Sequence, residues 1–179
     1  MAAAGDDLAA VFATPFKHDS FEDQALPDPA YARRARELCD ATGAMLIIDD
    51  VRAGFRLTRD CSWELVDVRP DLSAWGKSFA NGQPIAAVLG ADSCRRGASA
   101  IYATGSYWFA AVPMAAALTT LRILRDTDYL EHTVRLGERL RAGWDIAAAH
   151  HGFRLRQTGP VQMPQVLVDD DPDLRIGCA

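Results

Sequence analysis

The chain has 179 residues, of which 49% are hydrophobic and 24% charged, and its formal net charge is −5. This composition is typical of a globular domain with a substantial core, and it excludes a disordered chain. The acidic balance argues against a nucleic-acid or anionic-membrane surface, and no apolar run approaches the roughly 18 residues that a membrane span needs. The four cysteines are scattered without zinc spacing, so we expect a reduced, cytoplasmic protein.

The first half of the chain predicts a strand, a helix and a second strand. Residues 8–13 (LAAVFA) read as a buried strand. Asp28 is a good helix N-cap, Pro29 suits the first helical position, and Gly43 is placed to end the helix. The apolar run 44–48 then predicts a second strand, and its lack of alternation favours a parallel sheet that is covered on both faces. The predicted apolar face of the helix consists of Tyr31, Ala35, Leu38 and Thr42.

The second half predicts a strand pair, two helices and a hairpin. Residues 71–90 read as two short strands joined by a turn at Asn81-Gly82. A helix over 113–125 opens on Pro113, and a longer amphipathic helix follows from about 128 to 150. The segments FRLRQTG and VQMPQVLV predict a hairpin that opens a second, smaller unit. The predicted apolar members of the long helix include Leu130, Val134, Leu140, Trp144 and Ile146.

The segment MLIIDDVRAGFR raises the question of why a buried strand ends on two acids, Asp49 and Asp50. Ligands of open parallel sheets collect beyond the carboxyl ends of the strands. An isolated carboxylate there needs a cation or a proton, because its desolvation is unfavourable. A structural explanation is that Asp49 caps a loop or pairs with Arg52 or Arg56.

Lys77 supplies the second half of the pattern, since it follows a short apolar stretch and lies between Gly76 and Ser78. A lysine between a strand and a Gly-containing turn, downstream of a strand-end aspartate, suggests a Schiff-base nucleophile. The cation facing Asp49 would then be the pyridinium nitrogen of pyridoxal phosphate.

Other ligand motifs are weaker. LIIDD resembles a Walker B strand and GKS the end of a P-loop, but Asp71 stands where that loop needs glycine, and the order along the chain is reversed. A P-loop ATPase is therefore a remote alternative. The adjacent His150 and His151 point about 100° apart on a helix and cannot chelate together. The segment VDDDPD at 168–173 lacks a calcium-loop pattern, so we predict no metal site.

Three segments together resemble the class III, fold type I pyridoxal-phosphate-dependent aminotransferases, most closely the glutamate-1-semialdehyde 2,1-aminomutase-like branch. They are RARELCDATGAMLIIDDVRAGFR, RPDLSAWGKSFANGQPIAAVLG and YATGSYWFAAVPMAAALTTLR. The resemblance implies an α/β fold, namely a fragment of the large transferase domain with a mostly parallel sheet flanked by helices. It implies an enzyme that transfers amino groups as a transaminase or aminomutase, on an amino acid or amine substrate, with pyridoxal 5′-phosphate as cofactor.

The resemblance also implies roles for four residues. Lys77 would be catalytic and would hold the cofactor as a Schiff base, Asp49 would bind its pyridinium nitrogen, and Val51 would pack on its ring. Ser106, which matches a family threonine, would contact the phosphate of the cofactor in the partner subunit of a homodimer. The stretch SYWFAAV departs from the family pattern near Trp108, which implies an altered substrate pocket. Residues Tyr107, Trp108 and Phe109 are either core or pocket wall.

The domain organisation follows from the same resemblance. Residues 1–127 would be part of the large cofactor-binding domain, 128–150 a connecting helix, and 151–179 the start of a small C-terminal α+β domain. Family members are longer, and their phosphate-binding loop lies in a region that this chain does not match. We therefore expect a central piece of a longer protein. Two alternatives to an active enzyme are an inactive fragment and a module that completes its site only with a missing half.

Overall fold

The computed structural model describes residues 7–18 and 22–168, which form two compact units. Among these residues, the first unit consists of 7–15 and 27–127, and the second of 16–18, 22–26 and 128–168. No helix in the described residues has the length and hydropathy needed to cross a membrane. The division into a large domain, a connecting helix and a small domain stays a prediction.

The first unit is built on a four-stranded sheet in the order β1-β2-β3-β4. Strands β1 (Ala10–Ala13), β2 (Met45–Asp49) and β3 (Leu72–Trp75) are parallel, and β4 (Ala87–Gly90) pairs antiparallel with β3. The predicted βαβ unit and the pair of short strands are therefore confirmed. The turn between β3 and β4 contains Asn81 and Gly82, both with positive φ.

Helix α1 (Pro29–Thr42) connects β1 to β2 and has the predicted ends. The Asp28 side chain accepts a hydrogen bond from the Ala30 N–H at 2.7 Å, and Gly43 ends the helix in the left-handed conformation. The predicted apolar face is only partly correct, because Ala35 is the one member of it that is buried, and the other buried residues are Ala32 and Cys39. Small side chains on this face suit close packing of the helix on the sheet.

The core of the first unit lies between α1, β2 and the segment after β2. That segment contains a short 3₁₀ helix, Ser62–Val66, whose Trp63 is fully buried and donates its indole N–H to the Pro15 carbonyl at 3.2 Å. Burying a side chain of this size contributes on the order of 3 kcal/mol. The core residues are Ala13, Ala32, Ala35, Cys39, Leu46, Ile48, Trp63, Val66 and Val68.

Coverage of the sheet on both faces, which the apolar run predicted, is not seen within the described residues. Along β2, side chains alternate between buried and half-buried, so α1 covers one face and the other is partly open. The flanking strands are also open, since Phe12 on β1 is 62% exposed and Val88 on β4 is 70% exposed. The unalternating run therefore reflects two different environments on the two faces of β2.

Beyond β4 the first unit continues with α2 (Arg95–Ala100) and α3 (Ala111–Asp126). Helix α3 begins two residues before Pro113, which lies in its first turn, as expected of a residue without an N–H. In the second unit, α4 (Tyr129–His151) is followed by the antiparallel hairpin of β5 (Leu155–Thr158) and β6 (Gln165–Val168). The predicted hairpin is confirmed.

The apolar face predicted for α4 is only partly correct. Leu140 and Ile146 are exposed, whereas Gly137 and Ala148 are the buried residues. Gly137 packs directly against the backbone of Val161, in the loop between β5 and β6. Close approach of that loop requires a residue without a side chain, which hydrophobic periodicity does not detect. The segment 168–173 lies outside the described residues, apart from Val168.

Candidate active site

Asp49 is the last residue of β2, at the carboxyl end of a parallel strand. In the register of the sheet it is level with Ala74 of β3, three residues before Lys77. Its Oδ1 accepts a hydrogen bond from the Val51 N–H at 3.1 Å, so the side chain caps the loop that follows. This is the loop-capping role that the structural explanation predicts, and it holds the carboxylate at the edge of the sheet where ligands of α/β proteins bind.

Asp50 has a different environment, because it points to the buried face of β2. Its Oδ2 accepts the Ser62 N–H at 2.8 Å, while Oδ1 is buried and has no hydrogen-bond partner in the part of the chain that the structure describes. Burial raises the pKa of Asp50, and the hydrogen bonds from Ser62 offset only part of that rise. Burial, and next the charge of Asp50, raises the pKa of the neighbouring Cys61 thiol. Asp50 therefore anchors the segment after β2, and Asp49 remains at the edge.

Lys77 follows β3 and begins a one-turn 3₁₀ helix, Lys77–Phe79. Its φ of 46° lies in the left-handed region, which is unusual for a residue with a side chain. The turn is closed by the Phe79 N–H, which donates to the Gly76 carbonyl at 3.0 Å. The side chain of Lys77 is exposed, so its amine is accessible beyond the carboxyl end of β3.

The loops after β2 and β3 are in contact, and we call residues 51–55 and 75–79 the clasp. A Cβ built on Gly76 would lie 3.3 Å from Val51 Cγ1, so these two residues pack closely. A Cβ built on Gly54 would lie 2.6 Å from Cε3 of Trp75, so glycine is required for the loop to lie against that ring.

Two further contacts complete the clasp. The Phe55 ring lies 4.5 Å from the Trp75 ring and 6.2 Å from the Phe79 ring, measured between centroids. The Ser78 hydroxyl donates to the Gly54 carbonyl at 2.7 Å. The clasp thus brings the loops that carry Asp49, Val51 and Lys77 together at one edge of the sheet.

Ser106, the fourth predicted residue, lies in a turn between α2 and α3, in the segment 101–110. It lines an open cavity of about 710 Å³ with residues of the same turn and with Pro84, Ile85, Pro113 and Met114. Tyr107, Trp108 and Phe109 are exposed and line this cavity, so they are wall and not core. None of the contacts of the clasp involves Ser106.

The alternative chemistries receive no support from this geometry. Asp71, at the position that a P-loop gives to glycine, bonds through Oδ2 to the Leu46 N–H at 2.7 Å and to Arg36 at 2.8 Å. It is a structural residue that ties α1 to the sheet. Within residues 7–18 and 22–168, no group of three or more His, Cys, Asp or Glu side chains is arranged for a metal ion.

Sequence reasoning missed the clasp and the separate environments of the two acids. The burial of Asp50 could have been inferred, because Asp50 lies on the same face, at alternate positions, as Leu46 and Ile48, which are both buried. The clasp depends on contacts between residues about 24 positions apart, such as Gly54 and Ser78, for which the sequence carries no periodic signal.

Comparison with known families identifies the family of this chain. Residues 2–159 match the model of the family described as Aminotransferase class-III. The chain belongs to the class III aminotransferase family, and the predicted α/β fold is confirmed.

Among its relatives is an aminopentol aminotransferase of Sphingopyxis macrogoltabida, 60% identical over 97% of this chain and 41% of that protein. A glutamate-1-semialdehyde 2,1-aminomutase of Halobacterium salinarum is 31% identical over 97% of this chain and 39% of that protein. The family prediction is thus confirmed, while the aminomutase-like branch stays a prediction, since the relative at 60% carries another name.

Solved structures show the same likeness. A structure of the PLP internal aldimine form of the FumI protein of Sphingopyxis sp. MTA144 aligns with a TM-score of 0.91 and 58% identity. The alignment covers 99% of this chain and 43% of the FumI chain. A transaminase solved with PLP bound aligns with a TM-score of 0.75 and 28% identity, over 93% of this chain and 40% of that one. The chain therefore spans about two fifths of the length of the relatives it matches.

Proposed function

We propose that this chain carries the cofactor lysine of a pyridoxal-phosphate-dependent aminotransferase. The observation that supports this most is the placement of Asp49 at the carboxyl end of β2 and of Lys77 just beyond the carboxyl end of the adjacent parallel strand β3, with the loops that follow joined by the clasp. Family membership and the PLP named for two similar structures support the choice of cofactor.

The chemistry of the residues present suits this cofactor. Pyridoxal phosphate is a flat ring with a basic nitrogen at one end and an aldehyde on another carbon. The clasp region offers a carboxylate in Asp49, an apolar side chain in Val51 and an accessible amine in Lys77. We assign Asp49 to the ring nitrogen, Val51 to the ring face and Lys77 to covalent attachment as the Schiff base.

In this assignment Asp49 acts by charge. Opposite unit charges about 4 Å apart attract by about 4 kcal/mol at an effective dielectric constant near 20. A carboxylate held by the Val51 N–H therefore favours the protonated ring nitrogen by a substantial fraction of that energy. The bound cofactor supplies an electron-accepting ring, and Lys77 Nζ carries the proton to and from the substrate carbon.

Ser106 is assigned to the phosphate of a cofactor in the partner subunit of a homodimer, as the family resemblance implies. The exposed segment around it supports an interface, because Tyr102 is 91% exposed and Phe109 is 87% exposed. Apolar side chains so exposed on neighbouring residues are typical of contact surfaces.

For the reaction we propose transamination, since the relative at 60% identity is named aminopentol aminotransferase. An amine of that kind is the first candidate donor, and the cavity lined by Tyr107, Trp108 and Phe109 is a candidate wall of its pocket. Intramolecular amino transfer is the second outcome to assay, because relatives with that activity in their names are 31% to 36% identical.

A labelling experiment tests the cofactor assignment. Lys17 and Lys77 are the only lysines in the sequence, so they form a matched pair. The chain is incubated with pyridoxal phosphate, reduced with borohydride and mapped by mass spectrometry of its peptides. We expect the label on Lys77 in the unmodified chain and in Lys17→Arg, and its loss in Lys77→Arg. Equal labelling of both lysines would contradict the assignment.

A second candidate is supported by the exposed strands β1 and β4: the site forms only when further chain covers them. In that case Lys77 is not labelled in the isolated chain but becomes labelled when the chain is expressed together with the coding sequence that flanks it. Failure of labelling in both forms would exclude both candidates.

A further inference from the structure

Lys77 adopts a backbone conformation that a lysine does not favour by itself. Its φ of 46° follows an extended Gly76 with φ of −174°, so the chain changes direction sharply at this residue. Left-handed residues with side chains persist where neighbouring contacts impose them, and such residues concentrate at functional sites. The contacts that impose this conformation therefore determine where the Lys77 amine is presented.

Ser78 makes one of those contacts. Its hydroxyl donates to the Gly54 carbonyl at 2.7 Å, across 24 residues of sequence and in a partly buried position. Gly54 is itself fixed, because its N–H donates to the Asp50 carbonyl at 2.8 Å and its Cα lies against the Trp75 ring. The hydroxyl thus ties the residue after Lys77 to a rigid point on the loop that follows Asp49.

We propose that Ser78 is a positioning residue for Lys77, acting through its hydrogen bond to the Gly54 carbonyl. This inference rests on the proposed function, in which the Lys77 amine attaches the cofactor. The bond keeps the left-handed turn in place and fixes the relative position of the two loops. Besides this bond, the turn at Lys77 is held by the Phe79 N–H, by ring contacts of Phe79 and by packing of Gly76 on Val51.

The experiment compares three variants of the full 179-residue chain. Ser78→Ala removes the hydroxyl, and Ser78→Thr retains it. Ser99→Ala is the matched control, because the Ser99 hydroxyl also donates to a backbone carbonyl, that of Arg96 at 3.0 Å, but on α2. The first readout is hydrogen exchange of the Phe79 amide without cofactor, and the second is the rate of borohydride-trapped attachment of pyridoxal phosphate at Lys77.

We expect Ser78→Ala to raise the exchange rate by about threefold to tenfold, the range for loss of one hydrogen bond, and to slow attachment by a similar factor. Ser78→Thr should restore both rates, and Ser99→Ala should change neither. Unchanged exchange in Ser78→Ala overturns the inference. Faster exchange with an unchanged attachment rate also overturns it, because the bond would then be structural only. Absence of attachment in the unmodified chain counts instead against the proposed function.

Discussion

Replacing Gly54 by alanine tests whether the clasp has the geometry described. A Cβ at this position would lie 2.6 Å and 2.7 Å from two atoms of the Trp75 ring and 2.7 Å from the Asp50 carbonyl oxygen. Since ordinary contact begins near 3.4 Å, the ring or the loop must move by about 0.8 Å. Trp75 is buried and its indole N–H donates to Ser73 at 2.8 Å, so it cannot move freely.

Overpacking of this kind is expected to reduce the free energy of unfolding by about 1–3 kcal/mol. For a chain of this size that corresponds to a fall in the melting temperature of about 2–12 °C. Urea unfolding followed by tryptophan fluorescence measures the first quantity, and hydrogen exchange of the Gly54 amide, which donates to Asp50, reports the local change.

Two glycines of the same unit serve as controls for Gly54→Ala. Within the described residues, a Cβ on Gly76 would meet only the methyl groups of Val51, the nearer at 3.3 Å, and a Cβ on Gly97 would meet nothing within 4 Å. We expect Gly54→Ala to lose the most stability, Gly76→Ala less, and Gly97→Ala the least. If Gly54→Ala were as stable as Gly97→Ala, the close approach of the loop to Trp75 would be refuted.

Three other predictions concern single residues. Lys77→Gly should be more stable than Lys77→Ala by about 1 kcal/mol in urea unfolding, because glycine adopts positive φ without steric cost. Equal stabilities of the two variants would contradict the left-handed conformation at residue 77. Because folding raises the pKa of Asp50, the native state binds that proton more tightly than the unfolded chain, and stability falls as pH rises above about 3.9, the ordinary pKa of aspartate. Asp50→Asn should therefore gain stability over the unmodified chain as pH rises from 3 to 7. A stability difference between the two that does not change with pH would refute this. In α4, Gly143→Ala should stabilise the chain by about 0.5–1 kcal/mol, because alanine has the higher helix propensity. Gly137→Ala should destabilise the chain, because its Cβ would overlap a backbone oxygen in the loop between β5 and β6. Thermal melts that rank the two variants the other way would show that this loop does not pack against Gly137.

Local chemistry made much of the fold predictable. The bounds of α1 follow from Asp28, Pro29 and Gly43, whose effects operate within one turn of helix. The parallel pairing of β1 and β2 follows from a helix placed between two apolar strands. The phase of the buried helix faces was less predictable. It depends on how closely each helix approaches its neighbour, and small residues such as Ala32 and Gly137 are selected for that distance.

The site was predictable to the level of its two charged residues. Asp49 and Lys77 stand out because one ends a strand and the other follows one closely, and adjacent parallel strands end at the same edge of a sheet. The roles assigned to them and to Val51 and Ser106 stay predictions that the labelling experiment begins to test. What packs beside them was not predictable, since Ser78 and Gly54 meet only in the folded chain.

The sequence by itself determined the order of the strands and of α1, α3 and α4, the ends of α1 and the family to which the chain belongs, because these depend on short-range patterns and characteristic segments. The short helix α2 was not predicted. Only the tertiary structure decided that the Ser62 N–H binds the buried Asp50 carboxylate, and that Lys77 is held in a left-handed turn. The physical reason is that hydrogen-bond partners and backbone strain are set by neighbours distant in sequence.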